Sequence, residues 1–163
     1  MVDQDDAVVG RATRREVHAR GLLHRAVHAL VFNRSGELFL QKRSRNKDTA
    51  PGLWDSSASG HVDAGEDYDT CVGRELREEI GLDLGRPPAR WLRIRACEET
   101  GREFVWVYRA EADGPFTLNP VEIECGAWRH PAEIARRLRD QPADFASSFQ
   151  LIWRELAARG DVP

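Results

Sequence analysis

Gly60–Leu82 reads GHVDAGEDYDTCVGRELREEIGL, and these 23 residues decide the fold. Asp67 is an N-cap, Val72, Leu76 and Ile80 recur at helical spacing, and Gly81 supplies the stop. Within the helix this predicts, Glu75, Glu78 and Glu79 stand at i, i+3 and i+4, so three carboxylates share one face. Each close pair repels by on the order of 4 kcal/mol at an effective dielectric near 20. A divalent cation relieves that repulsion. Hard oxygen ligands suit Mg²⁺ or Mn²⁺, held through a few carboxylates and the phosphates of a substrate. The residues therefore point to metal-assisted chemistry on a diphosphate. A solvated acidic helix with ordinary pairs such as Arg74–Glu78 is the plainer alternative.

The whole chain sets wider bounds. Its 163 residues suit one domain, 1–163, large enough for a sizeable core. With 41% hydrophobic and 31% charged residues it has an ordinary globular composition. A net charge of -3 gives no reason to expect nucleic-acid or membrane partners. Met1-Val2-Asp3-Gln4-Asp5-Asp6 does not read as a signal peptide, and no apolar run reaches membrane-span length. Cys71, Cys97 and Cys125 are odd in number and share no close spacing, which suggests reduced thiols in a cytoplasmic protein. Either a monomer or a homodimer is compatible with the sequence.

Turn signals and alternation give mixed α and β structure. Asp6–Thr13 is expected as a short edge strand, followed by a polar segment to Leu23, with residues 1–24 packing on the core as an N-terminal extension. Arg25–Phe32 reads as a buried strand, and Glu37–Lys42 as its returning hairpin arm. Trp91–Glu98 and Glu103–Ala110 make a second hairpin, and Ile123–Trp128 is a further strand. Pro131 opens a helix at its first turn. A last helix, about Asp144–Arg159, groups Phe145, Phe149, Ile152, Trp153 and Leu156 on one core-facing stripe.

At every fixed position the Gly60–Leu82 run matches the signature of the Nudix hydrolases: Gly60, Glu66, Arg74-Glu75-Leu76, Glu78-Glu79 and Gly81-Leu82. The resemblance implies an α+β fold, a Nudix α/β/α sandwich with a mixed sheet flanked by helices. It also implies a Mg²⁺-dependent pyrophosphohydrolase, with Mn²⁺ a possible substitute. Glu75, Glu78 and Glu79 would bind the metal with the backbone carbonyl of Ser59. Glu75 is either a further ligand or the general base. Gly60, Glu66, Arg74 and Gly81 would hold the loop and helix together.

A second resemblance lies outside the box. Leu22-Leu23-His24-Arg25-Ala26, Phe32-Asn33 and Pro51-Gly52-Leu53-Trp54 resemble the branch that contains type I isopentenyl-diphosphate isomerase. By that resemblance His18, His24, His61 and Glu103 fall where a metal is held in the isomerase, while Gly101 replaces a further glutamate. The catalytic cysteine position is Ser59, and a hydroxyl is a poorer acid–base partner than a thiol. Arg43 and Lys47 fall where that branch contacts its diphosphate, Glu103 where a catalytic carboxylate faces the site, and Glu122 is a candidate outer ligand. His28 and His130 read as packed or solvated side chains. The expectation is a hydrolase on an isomerase-like scaffold acting on a nucleoside diphosphate-type substrate. The alternatives are an isomerase or prenyl-diphosphate relative, and a non-catalytic nucleotide-binding module.

Overall fold

The computed structural model describes all residues 1–163. Its elements, in chain order, are α1 (Arg14–Arg20), β1 (His24–Phe32), β2 (Leu38–Arg43), β3 (Trp54–Asp55), β4 (Ala58–His61), α2 (Tyr68–Ile80), β5 (Ala89–Ile94), β6 (Glu103–Glu111), β7 (Ile123–Arg129), α3 (Pro131–Asp140) and α4 (Ser147–Ala158). A single 3₁₀ turn, Pro142–Asp144, precedes α4. The seven strands form one mixed sheet in the order β3-β2-β1-β6-β5, with β4 on β1 and β7 on β2.

Strand β1 organises the sheet. It runs parallel to β6 along its whole length, from His24↔Glu103 to Phe32↔Glu111. Along its other edge it meets two partners. Phe32 pairs with Leu38 of β2, while Ala26–Ala29 pair antiparallel with β4. The expected β1–β2 hairpin therefore joins only at its turn and then forks, because β2 turns away to pair with β7 from Leu38 to Arg43. The mouth of the fork is where the candidate site lies.

Alternation along β1 divides the core into two layers. Val27, Ala29 and Val31 pack against Val72, Leu76 and Ile80 of α2. Ala26, Leu30 and Phe32 pack on the opposite face against Phe149, Ile152, Trp153 and Leu156 of α4. Truncating a wholly buried residue such as Leu156 to Ala would cost about 2–5 kcal/mol. The sandwich is the one expected, with a mixed sheet between helices.

Helix α2 obeys its sequence signals. The Asp67 carboxylate accepts from the Thr70 N–H at 2.8 Å, and Gly81 takes the left-handed conformation at φ 68°. Its buried stripe is Tyr68, Cys71, Val72, Glu75, Leu76, Glu79 and Ile80, so two carboxylates occupy positions that apolar residues would otherwise fill.

Three expectations need correction. Asp6–Thr13 is not an edge strand: Val2 and Val8 form one isolated bridge, and Asp6 turns the chain at φ 66°. Arg25, Arg93 and the Tyr68 hydroxyl bind the Asp6 carboxylate, so ion pairing overrides a short β pattern. The polar segment after it contains α1, capped by a reciprocal Thr13–Glu16 box. At the other end, α4 begins at Ser147 and not at Asp144, because Pro142 seeds the separate 3₁₀ turn. β5 likewise runs Ala89–Ile94, starting before the expected Trp91 and stopping short of Glu98.

Candidate active site

Gly60 fixes how closely β4 approaches α2. A Cβ at this position would fall inside the Glu75 carboxylate, so only glycine lets the strand lie this near the helix. The close approach brings the Ser59 N–H within 2.9 Å of Glu79 Oε2, an oxygen that also accepts from Gln41 Nε2 at 2.8 Å. Within a strand a residue's N–H and C=O point to one side, so the Ser59 carbonyl shares that direction.

Arg74 ties the motif together. Its guanidinium donates to Glu66 at 2.9 and 3.0 Å, to Glu75 Oε1 at 2.6 Å, to Glu78 Oε2 at 3.2 Å and to the His61 carbonyl at 3.0 Å. One cation thus locks the loop before the helix, the helix itself and β4. Burial alone would raise the Glu66 carboxyl, but the hydrogen bonds from Arg74 hold it below its usual range. Glu75 and Glu79 behave differently. Burial pushes the Glu75 carboxyl to about 7 even though Arg74 lies beside it. Glu79, 3% exposed, is likewise pushed to about 7 by burial and by the nearby Glu75, against the bonds from Ser59 and Gln41. Glu78 stands out in solvent at the rim. All three line a cleft of about 600 Å³ together with Ser59, Lys47 and Glu122.

These residues fit a hard divalent cation. Two buried carboxylates and a third at the rim, with Arg74 the one cation in salt-bridge contact with them, form a donor set with more negative charge than its neighbours cancel. Lys47 forms an ion pair with Glu122 at the mouth of the cleft, which places both predicted residues beside the carboxylates. Arg43 is elsewhere. It is buried, donating to Asp55 Oδ2 and the Thr49 carbonyl, both at 3.1 Å, and lines a second cleft.

The predicted histidine set does converge. One nitrogen from each of His18, His24 and His61 lies within 4.8 Å of the others. His61 Nε2 sits 2.9 Å from Glu103 Oε1, and His24 Nε2 lies 3.3 Å from the same oxygen, off line for a full hydrogen bond. His18 Nε2 and His24 Nε2 are buried without a hydrogen-bond partner. Burial would raise the Glu103 carboxyl, but the two imidazoles win and hold it well below the usual range. Desolvation lowers His18, helped by the like-charged His61 and His24. His28 is packed, as expected, and His130 caps α3 by accepting from the Ala132 N–H at 3.2 Å.

Sequence reasoning missed several contributors. Gln41 orients Glu79, and a buried glutamine in the middle of an apolar strand was a signal for it. Asn119 enters through its backbone N–H, which donates to the Glu79 carbonyl at 2.9 Å. Met1, Gly10, Arg11 and Arg14 wall the first cleft from the N-terminal side, and no local pattern signals that.

A protein-family model described as NUDIX domain matches residues 22–149. An uncharacterised Nudix hydrolase of Yersinia pestis is 32% identical over 151 residues, covering 93% of this chain and 82% of its own length. An isopentenyl-diphosphate Delta-isomerase of Pectobacterium atrosepticum is 31% identical, with 96% of this chain and 89% of that one covered. Among solved structures, a Deinococcus radiodurans protein is 28% identical with a TM-score of 0.81, covering 94% of this chain and 95% of its own. Nudix enzymes in general act with a divalent metal ion on small-molecule substrates, and no helix here is long and apolar enough to cross a membrane. On the family match and the intact glutamate helix together, the chain belongs to the Nudix family of pyrophosphohydrolases.

Proposed function

We propose that this chain is a Mg²⁺-dependent hydrolase that cleaves the diphosphate bond of a nucleoside diphosphate-type substrate. The observation that carries the reading is the pair of buried carboxylates, Glu75 and Glu79, facing one cleft with Glu78 and with Arg74 as the one cation in salt-bridge contact. Glu75, Glu78, Glu79 and the Ser59 carbonyl would hold Mg²⁺, or Mn²⁺ in its place. Once bound, the ion supplies charge neutralisation at the phosphates and a more acidic attacking water.

The chain's own groups do the rest. Glu75, with its carboxyl pushed to about 7, suits taking a proton from water near neutral pH, unless its oxygens are spent on the cation. Arg74 and Glu66 keep the helix in register against β4. Lys47, at the cleft mouth, offers a point charge to a phosphate, and Glu122 beside it is an outer ligand or a partner that Lys47 leaves on binding. Arg43 reaches only a group extending into the second cleft.

A second cation belongs, in this reading, to His18, His24 and His61 with Glu103, a set favoured by the partnerless ring nitrogens. Glu103 would be its ligand or an acid–base group beside it. The same set favours the isomerase as the second reading, and Ser59 at the cysteine position weighs against it.

The test is phosphate release in Mg²⁺ or Mn²⁺ from nucleoside di- and triphosphates, dinucleotide and sugar diphosphates, and isopentenyl diphosphate, with Glu78→Gln in parallel. Release abolished in the variant supports the hydrolase. Conversion of isopentenyl diphosphate to its isomer without release overturns it, and binding without turnover replaces it with a nucleotide-binding module.

A further inference from the structure

His28 has no part in the chemistry above, yet it is 4% exposed and lines the second cleft. It shares the face of β1 that carries Ala26, opposite the α2 side. Its Nδ1 lies 2.7 Å from Ser56 Oγ and 3.7 Å from Asp55 Oδ1. Asp55 is itself fixed, by Arg43 Nη1 at 3.1 Å and the Ser56 N–H at 2.8 Å. A carboxylate near Nδ1 favours the proton there and leaves Nε2 as an acceptor. Nε2 has no partner within the protein and is not sealed among side chains. A buried ring this firmly anchored, with one nitrogen open to a cleft, offers a fixed acceptor to a donor that enters the cleft.

The cleft, about 230 Å³, indicates what that donor belongs to. Arg43, Asp55, Thr100, Ser147 and Ser148 supply polar walls beside His18, His61 and Glu103 of the histidine set, and the only apolar residues are Ala26, Ala50 and Ala146. Apart from the imidazoles of His18, His28 and His61 there is no aromatic wall to stack a base, and there is no apolar surface broad enough for a prenyl chain. Ser59, Gly60 and His61 line both clefts, so a ligand held by its diphosphate at α2 extends past β4 into this one.

We propose that the second cleft seats a hydroxylated ring, a pentose or comparable sugar attached to the diphosphate, and that His28 Nε2 accepts a hydrogen bond from one of its hydroxyls. The placement of the diphosphate rests on the hydrolase reading. The ring's recognition by His28 does not require turnover.

Calorimetric binding separates the two. The intact protein in Mg²⁺ is titrated with α,β-methylene ADP and CDP, with their 2′,3′-dideoxy forms, and with isopentenyl diphosphate as the apolar control. The dideoxy probes should bind roughly tenfold more weakly, the cost of leaving a buried acceptor unpaired. His28→Leu should reduce that ratio to within twofold, while His28→Gln, which keeps an acceptor, should retain part of it. If His28→Leu fails to fold, the His28→Gln comparison alone carries the test, a ratio unchanged from wild type counting against the proposal. It is overturned by equal affinity for hydroxylated and dideoxy probes, by a ratio untouched in His28→Leu, by isopentenyl diphosphate binding as tightly as the nucleotides, or by no hydroxylated probe binding. Hydroxyl preference without any phosphate release in the turnover screen would refute the hydrolase and leave His28's role standing.

Discussion

Replacing Glu79 by glutamine should abolish activity and yet stabilise the metal-free protein. Ser59 N–H and Gln41 Nε2 both donate to one oxygen, Oε2, so a glutamine oxygen placed there keeps both bonds at 2.9 and 2.8 Å. What the substitution removes is a buried charge. A carboxyl carried from 4.5 to about 7 on folding loses stability as pH rises between those values, since the unfolded chain ionises first. The ionised form therefore costs about 3 kcal/mol above pH 7, at roughly 1.4 kcal/mol per pH unit. At pH 8 in EDTA, Glu79→Gln should gain about 2–3 kcal/mol, or roughly 5–10 °C in Tm. At pH 5 the gain should be about 1 kcal/mol or less, because most of the native carboxyl is protonated already. Urea unfolding at both pH values, with phosphate release in Mg²⁺, measures all three quantities. Destabilisation at pH 8, or an equal gain at pH 5, would refute the claim that Glu79 is held as an uncompensated buried charge.

Four further outcomes follow from the same geometry. Mg²⁺ at 100 times its Kd should stabilise the protein by about 2.7 kcal/mol at pH 8, with EDTA reversing it and Glu79→Gln abolishing it in a thermal melt. Gly60→Ala should push β4 off Glu75, costing about 1–3 kcal/mol, with loss of turnover; unchanged kinetics would rule out the close approach. Glu66→Gln should weaken the Arg74 lock by about 1–3 kcal/mol at pH 7; because Glu66 sits below its ordinary 4.5, that loss should shrink as pH falls past 4.5, which urea titrations at pH 7 and 4 would resolve. Asp6→Ala should lower stability by about 2 kcal/mol, leaving Arg25 and Arg93 unpaired, and raise KM more than it lowers kcat, since it frees a wall of the cleft and none of the glutamates.

Much of this site was legible because its geometry is local. The spacing of Glu75, Glu78 and Glu79 is a helical fact, and Asp67 and Gly81 bound the helix through their own backbone preferences. Gly60 was recognisable in the motif, although its reason, the carboxylate a Cβ would strike, exists only in three dimensions. The histidine set came from family resemblance alone, since residues 18, 24 and 61 have no common period. What escaped was nonlocal. Asp6 meets Arg93 across 87 positions, so an alternating strand-like pattern gave way to an ion-paired turn. His28 looked like an ordinary packed histidine because neither Ser56 nor Asp55 lies near it in sequence. The forked edge of β1 was equally hidden, because the turn at Asn33–Gly36 predicts a hairpin and says nothing of where its arms part.

Strand β4 is only four residues long, yet its two sides answer to different neighbours. Gly60, opposite Val27, turns to the glutamate helix, while Ser59 and His61, opposite His28 and Ala26, turn to the polar cleft. A substitution at 59 or 61 can therefore rewrite what is held on one side without disturbing the carboxylates on the other. Relatives named as Nudix hydrolases and as isomerases share this scaffold, and β4 offers alternate positions at which the cleft side can change while the glutamate side is kept.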